Sequence, residues 1–99
     1  MASLHPQNGA RVVLERAAID EGSATYTVTV YEPDGVLQST LARFSEEGVT
    51  VEPWERELDA WLAVFTDRLL KSFAKSHAGG PWSREGWPRK ITRWRAERS

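Results

Sequence analysis

Residues 24–31, Ala-Thr-Tyr-Thr-Val-Thr-Val-Tyr, alternate apolar and hydroxyl side chains without a break. Successive side chains of a strand point to opposite faces, so the pattern predicts a strand with one buried face. Glu32-Pro-Asp-Gly follows, with Pro where its fixed φ suits the second position of a type I turn and Gly at the fourth. Residues 36–44 then read as the returning strand. A tight four-residue turn pairs Val30 with Leu37, Val28 with Ser39 and Tyr26 with Leu41, and cross-strand partners share a face. The expected core face is therefore Tyr26, Val28, Val30, Leu37 and Leu41. The expected outer face is Thr25, Thr27, Thr29, Gln38 and Thr40, with Tyr31 and Phe44 as its aromatic members.

Residues 11–18 predict the first strand, joined to the second through Asp20-Glu-Gly-Ser, with Val12, Leu14 and Ala18 inward and Arg16 reaching past the edge on its long stem. Residues 49–52 predict a short fourth strand after Ser45-Glu-Glu-Gly. A one-residue slip exchanges the faces of a strand. A four-residue turn at 45–48 would put Val49 and Val51 on the threonine face, whereas a glycine bulge at Gly48 returns them to the core, and the bulge is the expectation.

Beyond Pro53 the period changes. Trp54, Leu58, Trp61, Leu62, Phe65, Leu69 and Phe73 recur at intervals of three and four, which predicts an amphipathic helix over residues 54–76. Acidic residues crowd its start, while Lys71, Lys75 and His77 stand at its end, matching the helix dipole. Ala78-Gly-Gly-Pro stops it. The expected architecture is α+β: a four-stranded antiparallel meander packed on one long carboxy-terminal helix, in the order ββββα. A helix of that length must run back across the apolar face, bringing its end near Asp20, Glu21, Glu46 and Glu47.

That order resembles several small single-strand-binding folds, the Pur-repeat group among them. The resemblance implies nucleic-acid binding by basic and aromatic residues on the sheet. The corresponding face here is mainly Thr and Gln.

Charge sharpens the picture of the tail. The net charge of −1 divides into 7 Lys/Arg against 12 Asp/Glu over residues 1–83 and 6 against 2 over residues 84–99. The organisation expected is a disordered start over 1–9, one domain over 10–83 and a basic tail over 84–99 docked on it. After Pro88 the tail can form a short helix with Trp87, Ile91 and Trp94 on one side. Its tryptophans then extend the core and its arginines pair with the acidic turns. Alternatively Arg89, Lys90, Arg93, Trp94 and Arg95 bind nucleic acid, cations on phosphates and indoles on bases.

Candidate chemistry is sparse. With no cysteine, thiol catalysis, thiolate metal sites and disulfides are excluded. The acidic turns lack the alternating oxygen ligands of a calcium loop, and His5 and His77 have no ligand or relay neighbour at suitable spacing. No cofactor, metal or catalytic residue is expected. The longest apolar run, residues 61–65, is far short of the roughly 20 residues of a membrane-spanning helix, and the first ten residues do not read as a signal peptide, so the cytoplasm is the expected compartment. The sequence thus predicts a non-enzymatic protein-interaction module that pairs sheet faces in a homodimer through Thr27, Thr29, Tyr31, Gln38, Thr40 and Phe44.

Overall fold

A computed structural model describes residues 9–32, 35, 37–77, 79–83 and 85–95. The start expected to be disordered lies outside them up to residue 8, as do Pro33 and Asp34 of the predicted turn, Val36, Ala78, Arg84 and residues 96–99. The elements are β1 (Ala10–Asp20), β2 (Ser23–Tyr31), β3 (Leu37–Ser45), β4 (Gly48–Val51), α1 (Ala60–His77) and β5 (Lys90–Arg95). They form an α+β fold in which one antiparallel sheet, ordered β4-β3-β2-β1-β5, carries the helix on one face.

The threonine-rich segment is a strand, as its alternation predicts, but its partner runs in a different register. Val30 lies opposite Gln38, Val28 opposite Thr40 and Tyr26 opposite Ala42. The cause is in the turn. Five residues, 32–36, separate the strands, the Gly35 N–H donates to the Glu32 carbonyl (3.2 Å), and Gly35 has φ 88°. A left-handed glycine after the turn adds one residue to the loop, and one residue is enough to exchange the faces of β3. Gln38, Thr40, Ala42 and Phe44 therefore face the helix, and Leu37, Ser39 and Leu41 face away.

The β3–β4 turn is correspondingly tight. Ser45 lies opposite Gly48 and Phe44 opposite Val49, without the extra residue expected at Gly48. Because β3 has already changed faces, Val49 and Val51 still pack against the core. On β1 a bulge between Arg16 and Ala18 turns Ala18 outward, against the expectation, and brings Ile19 to the core side opposite Ala24.

The helix starts six residues later than the periodicity suggests. Asp59 is its cap, its carbonyl accepting the Ala63 N–H (2.8 Å). The preceding stretch is held by β3 instead: the Thr40 hydroxyl donates to the Glu52 carbonyl (2.9 Å), and the Arg56 N–H donates to Gln38 Oε1 (2.9 Å). Leu62, Thr66, Leu70, Phe73 and Ala74 form its buried stripe, while Trp61, Phe65 and Leu69 stand at its flank, half-buried. No helix among the described residues is long and apolar enough to cross a membrane.

After the helix the chain re-enters the core. Trp87 is fully buried, stacked on Trp82 (4.8 Å between ring centres) and set among Tyr26, Phe44, Phe73 and His77. A turn at Ser83 seats it, and Gly86 passes so close to the Pro81 carbonyl that a Cβ there would lie 2.2 Å from its oxygen. The Tyr26 hydroxyl donates to the Pro88 carbonyl, and Arg16 donates from its side chain to the Trp87 carbonyl (2.7 Å) and from its backbone to Arg89 (2.9 Å). These bonds hand the tail to the edge of β1. It continues there as a strand, not as the short helix that was the alternative expectation: hydrogen-bonding to an open sheet edge satisfies its backbone groups.

Candidate interaction surface

The face of the sheet turned away from α1 is built by rows of cross-strand neighbours. The first row runs Trp94, Arg11, Tyr31, Leu37, and the second Thr92, Val13, Thr29, Ser39. The third is Lys90, Glu15, Thr27, Leu41, with the Glu52 N–H donating to the Leu41 carbonyl (2.9 Å) at its end. The centre is tied together by hydroxyls, Thr29 Oγ1 lying 2.9 Å from Ser39 Oγ.

Four large apolar side chains remain exposed among the described residues, and three of them, Leu37 (53%), Leu41 (39%) and Trp94 (51%), stand on this face. The two halves of the face differ. On the β5 side are Trp94 and the cations Arg11 and Lys90. On the β3 side, Thr27, Ser39 and Leu41 line a shallow depression of about 350 Å³ with Glu52, Pro53 and Glu55. Charge is mixed on both halves: Glu15 stands beside Lys90 on the β5 side, and Arg43 shares the outward alternation of Leu37 and Leu41 on β3.

Of the sheet-face residues predicted from sequence, Thr27, Thr29 and Tyr31 stand together on the open face. Gln38, Thr40 and Phe44 do not. The register places them on the covered face, where Phe44 is core and Gln38 and Thr40 use their polar groups on the β4–α1 connection. Leu37 and Leu41, expected in the core, take their place outside, joined by Arg11 and Val13 of β1. The signal that could have found them is Arg43: a charge in the same alternation as Leu37 and Leu41 marks that face of β3 as the outer one.

The tail residues are also divided. Lys90, Thr92 and Trp94 share the open face, whereas Ile91, Arg93 and Arg95 share the helix side with Leu14, Val12 and Ala10. Arg89 is exposed just before the strand. The tail begins near the acidic end of the sheet, where Lys71 and Lys75 of α1 border Glu46 and Glu47, but β5 runs antiparallel to β1 and carries Arg93 and Arg95 toward the opposite end. The Arg95 guanidinium lies 5.7 Å from the centre of the Phe65 ring. The tail arginines therefore do not all converge on the acidic turns.

Burial raises Tyr26 from an ordinary pKa of 10.0 to about 12, opposed in part by the positive charge of Arg16. That group belongs to the core side and not to the open face. No cluster of three or more His, Cys, Asp or Glu residues able to hold a metal occurs among the described residues. Compared with known proteins, the chain matches no family model, no curated protein and no solved structure.

Proposed function

We propose that this chain is a non-enzymatic protein-interaction module whose open sheet face pairs with a second copy of itself. The observation that carries this reading is the outward cluster of Leu37, Leu41 and Trp94, three large apolar side chains exposed on one face. β2 is the middle strand of five, so a two-fold axis along it sets the β5 half of one copy over the β3–β4 half of the other. Trp94 then lies over the corner beside the partner's Leu37, which the four residues of β4 leave open, and Lys90 lies over the partner's Glu52. Hydroxyl-bearing Thr27 and Thr29 meet their own copies at the axis. Two sheets packed in this way keep their strands within about 30° of each other.

The reading also explains why Leu37, Leu41 and Trp94 face outward together: association removes them from water. The cytoplasm is the compartment proposed for the module. Nucleic-acid binding by the tail is less well supported, because its cations are split between two sides of the sheet, Lys90 on one and Arg93 and Arg95 on the other.

Light scattering across concentrations from micromolar to millimolar tests the proposal. A dimer is expected, with Leu41→Lys and Trp94→Ser shifting it to monomer and Lys90→Glu weakening it until Glu52→Lys is added. A monomer at every concentration overturns the reading. So does a dimer that ignores these substitutions, or a face whose variants lose binding to an oligonucleotide while the mass stays that of a monomer.

A further inference from the structure

Between α1 and β5 runs a second concavity, on the opposite side of the sheet from the proposed dimer face. It encloses about 550 Å³, within the range of about 300–1,000 Å³ typical of small-molecule sites. It exists because α1 sits off-centre: among the strands its backbone comes closest to β4, leaving a wedge over the β5 edge. One wall is the helix flank, where Trp61, Phe65 and Leu69 recur at every fourth position and Val64 and Arg68 form the next row outward. The other wall is β5, which directs Arg93 and Arg95 to this side and borders the groove with Trp94 at the sheet edge.

The chemistry of this groove is specific in sign. Its floor is apolar, and Val64 at its lip is half-exposed (50%), the one large apolar residue left open to solvent on this side of the sheet among those described. Its charged members are Arg68, Arg93 and Arg95, and no carboxylate lines it among the described residues. Arg95 lies over the Phe65 ring, at the junction of the basic rim and the aromatic floor. A chain whose formal net charge is −1 thus holds a local concentration of positive charge against an apolar trough. Guanidinium groups pair with carboxylates through two parallel hydrogen bonds, and the trough supplies the area that a hydrocarbon or aryl body buries.

We propose that the groove between α1 and β5 binds a small amphiphilic carboxylate, its acid group held by Arg93 and Arg95 and its apolar body laid along Trp61, Phe65 and Leu69. An oligonucleotide is the competing occupant, through stacking on the same aromatics. It is disfavoured because three cations around a short trough make no extended track that successive phosphates could follow.

Calorimetric titration of the full-length protein with dodecanoate, below the concentration at which it forms micelles, tests the inference. One molecule is expected to bind per chain, with dodecyltrimethylammonium at least tenfold weaker. The double substitution Arg93→Gln, Arg95→Gln should weaken dodecanoate at least fivefold, with its fold checked by circular dichroism. Val64→Glu, at an exposed position, should abolish binding without unfolding. Leu41→Lys on the opposite face should leave the affinity unchanged, which separates this site from the dimer reading. No dodecanoate binding up to millimolar concentration overturns the inference. Equal affinity for the two head-group charges, binding that survives both groove variants, or capture of a ten-residue thymidine oligonucleotide in place of dodecanoate does the same.

Discussion

The covered and open faces of this sheet use the same strands to opposite ends. On the covered face Val12, Leu14, Tyr26, Val28, Val30, Ala42 and Phe44 are completely buried, and Trp87 arrives from the tail to fill the space between them and the helix. Polar residues stand there too, and two of them, Gln38 and Thr40, hold the backbone of the β4–α1 connection. On the open face the hydroxyls are many, yet Leu37, Leu41 and Trp94 stay in water. Residue polarity alone therefore does not separate the two faces. What separates them is the covering layer: α1 and Trp87 close over one face, whereas Leu37, Leu41 and Trp94 on the other remain exposed.

Removing the tail's plug should break the contrast most strongly. Trp87→Ala opens a cavity under an aromatic cluster and is expected to cost about 3–5 kcal/mol in urea unfolding. Trp94→Ala, the equivalent truncation on the open face, should stay within about 1 kcal/mol for the monomer. Similar losses at both positions would mean that the two faces are equally buried.

Alkaline pH probes the covered face through Tyr26. Its folded-state pKa is raised to about 12 from 10.0, so the phenolate is disfavoured in the native protein. The stability this contributes is complete below pH 10 and is lost as pH rises from 10 to about 12. Unfolding should become easier across that window, and Tyr26→Phe should flatten the dependence while lowering stability near neutrality by removing the bond to Pro88. A wild-type profile that is flat over the window would contradict the burial of this hydroxyl.

Smaller effects compare neighbours on β3. Gln38→Ala leaves the Arg56 N–H without its acceptor and should cost about 1–3 kcal/mol, whereas Ser39→Ala on the open face should cost under about 1 kcal/mol. Comparable in size is Gly35→Ala. No atom lies within 4 Å of the added Cβ, so only the left-handed backbone opposes it, at about 1 kcal/mol in thermal unfolding. A stabilising result there would remove the turn as the cause of the register.

How far the fold could be read depended on how strongly each segment's pattern excluded its alternative. The alternation of residues 24–31 allows one burial pattern only, and Tyr26, Val28 and Val30 are buried as it requires. Residues 37–44 are different. One parity offers Leu37 and Leu41, the other Ala42 and Phe44, and the choice turns on a single loop residue beside Gly35. The late helix start was hidden because Trp54 and Leu58 fit the helical period while packing on the core from an irregular, bent segment.

The sequence by itself determined the number and order of the first four strands, the amphipathic helix, the absence of thiol chemistry and the basic character of the tail. These follow from local periodicity and composition, which act within a few residues. Only the tertiary structure decided which face of β3 is wet, where the tail's arginines go and that Lys90–Arg95 becomes a fifth strand. Each of those rests on a partner distant in the chain: the edge of β1 for the tail, and the β4–α1 connection for Gln38 and Thr40. Pairing across such separations is settled by the summed burial and hydrogen bonding of the whole domain, which no local window contains.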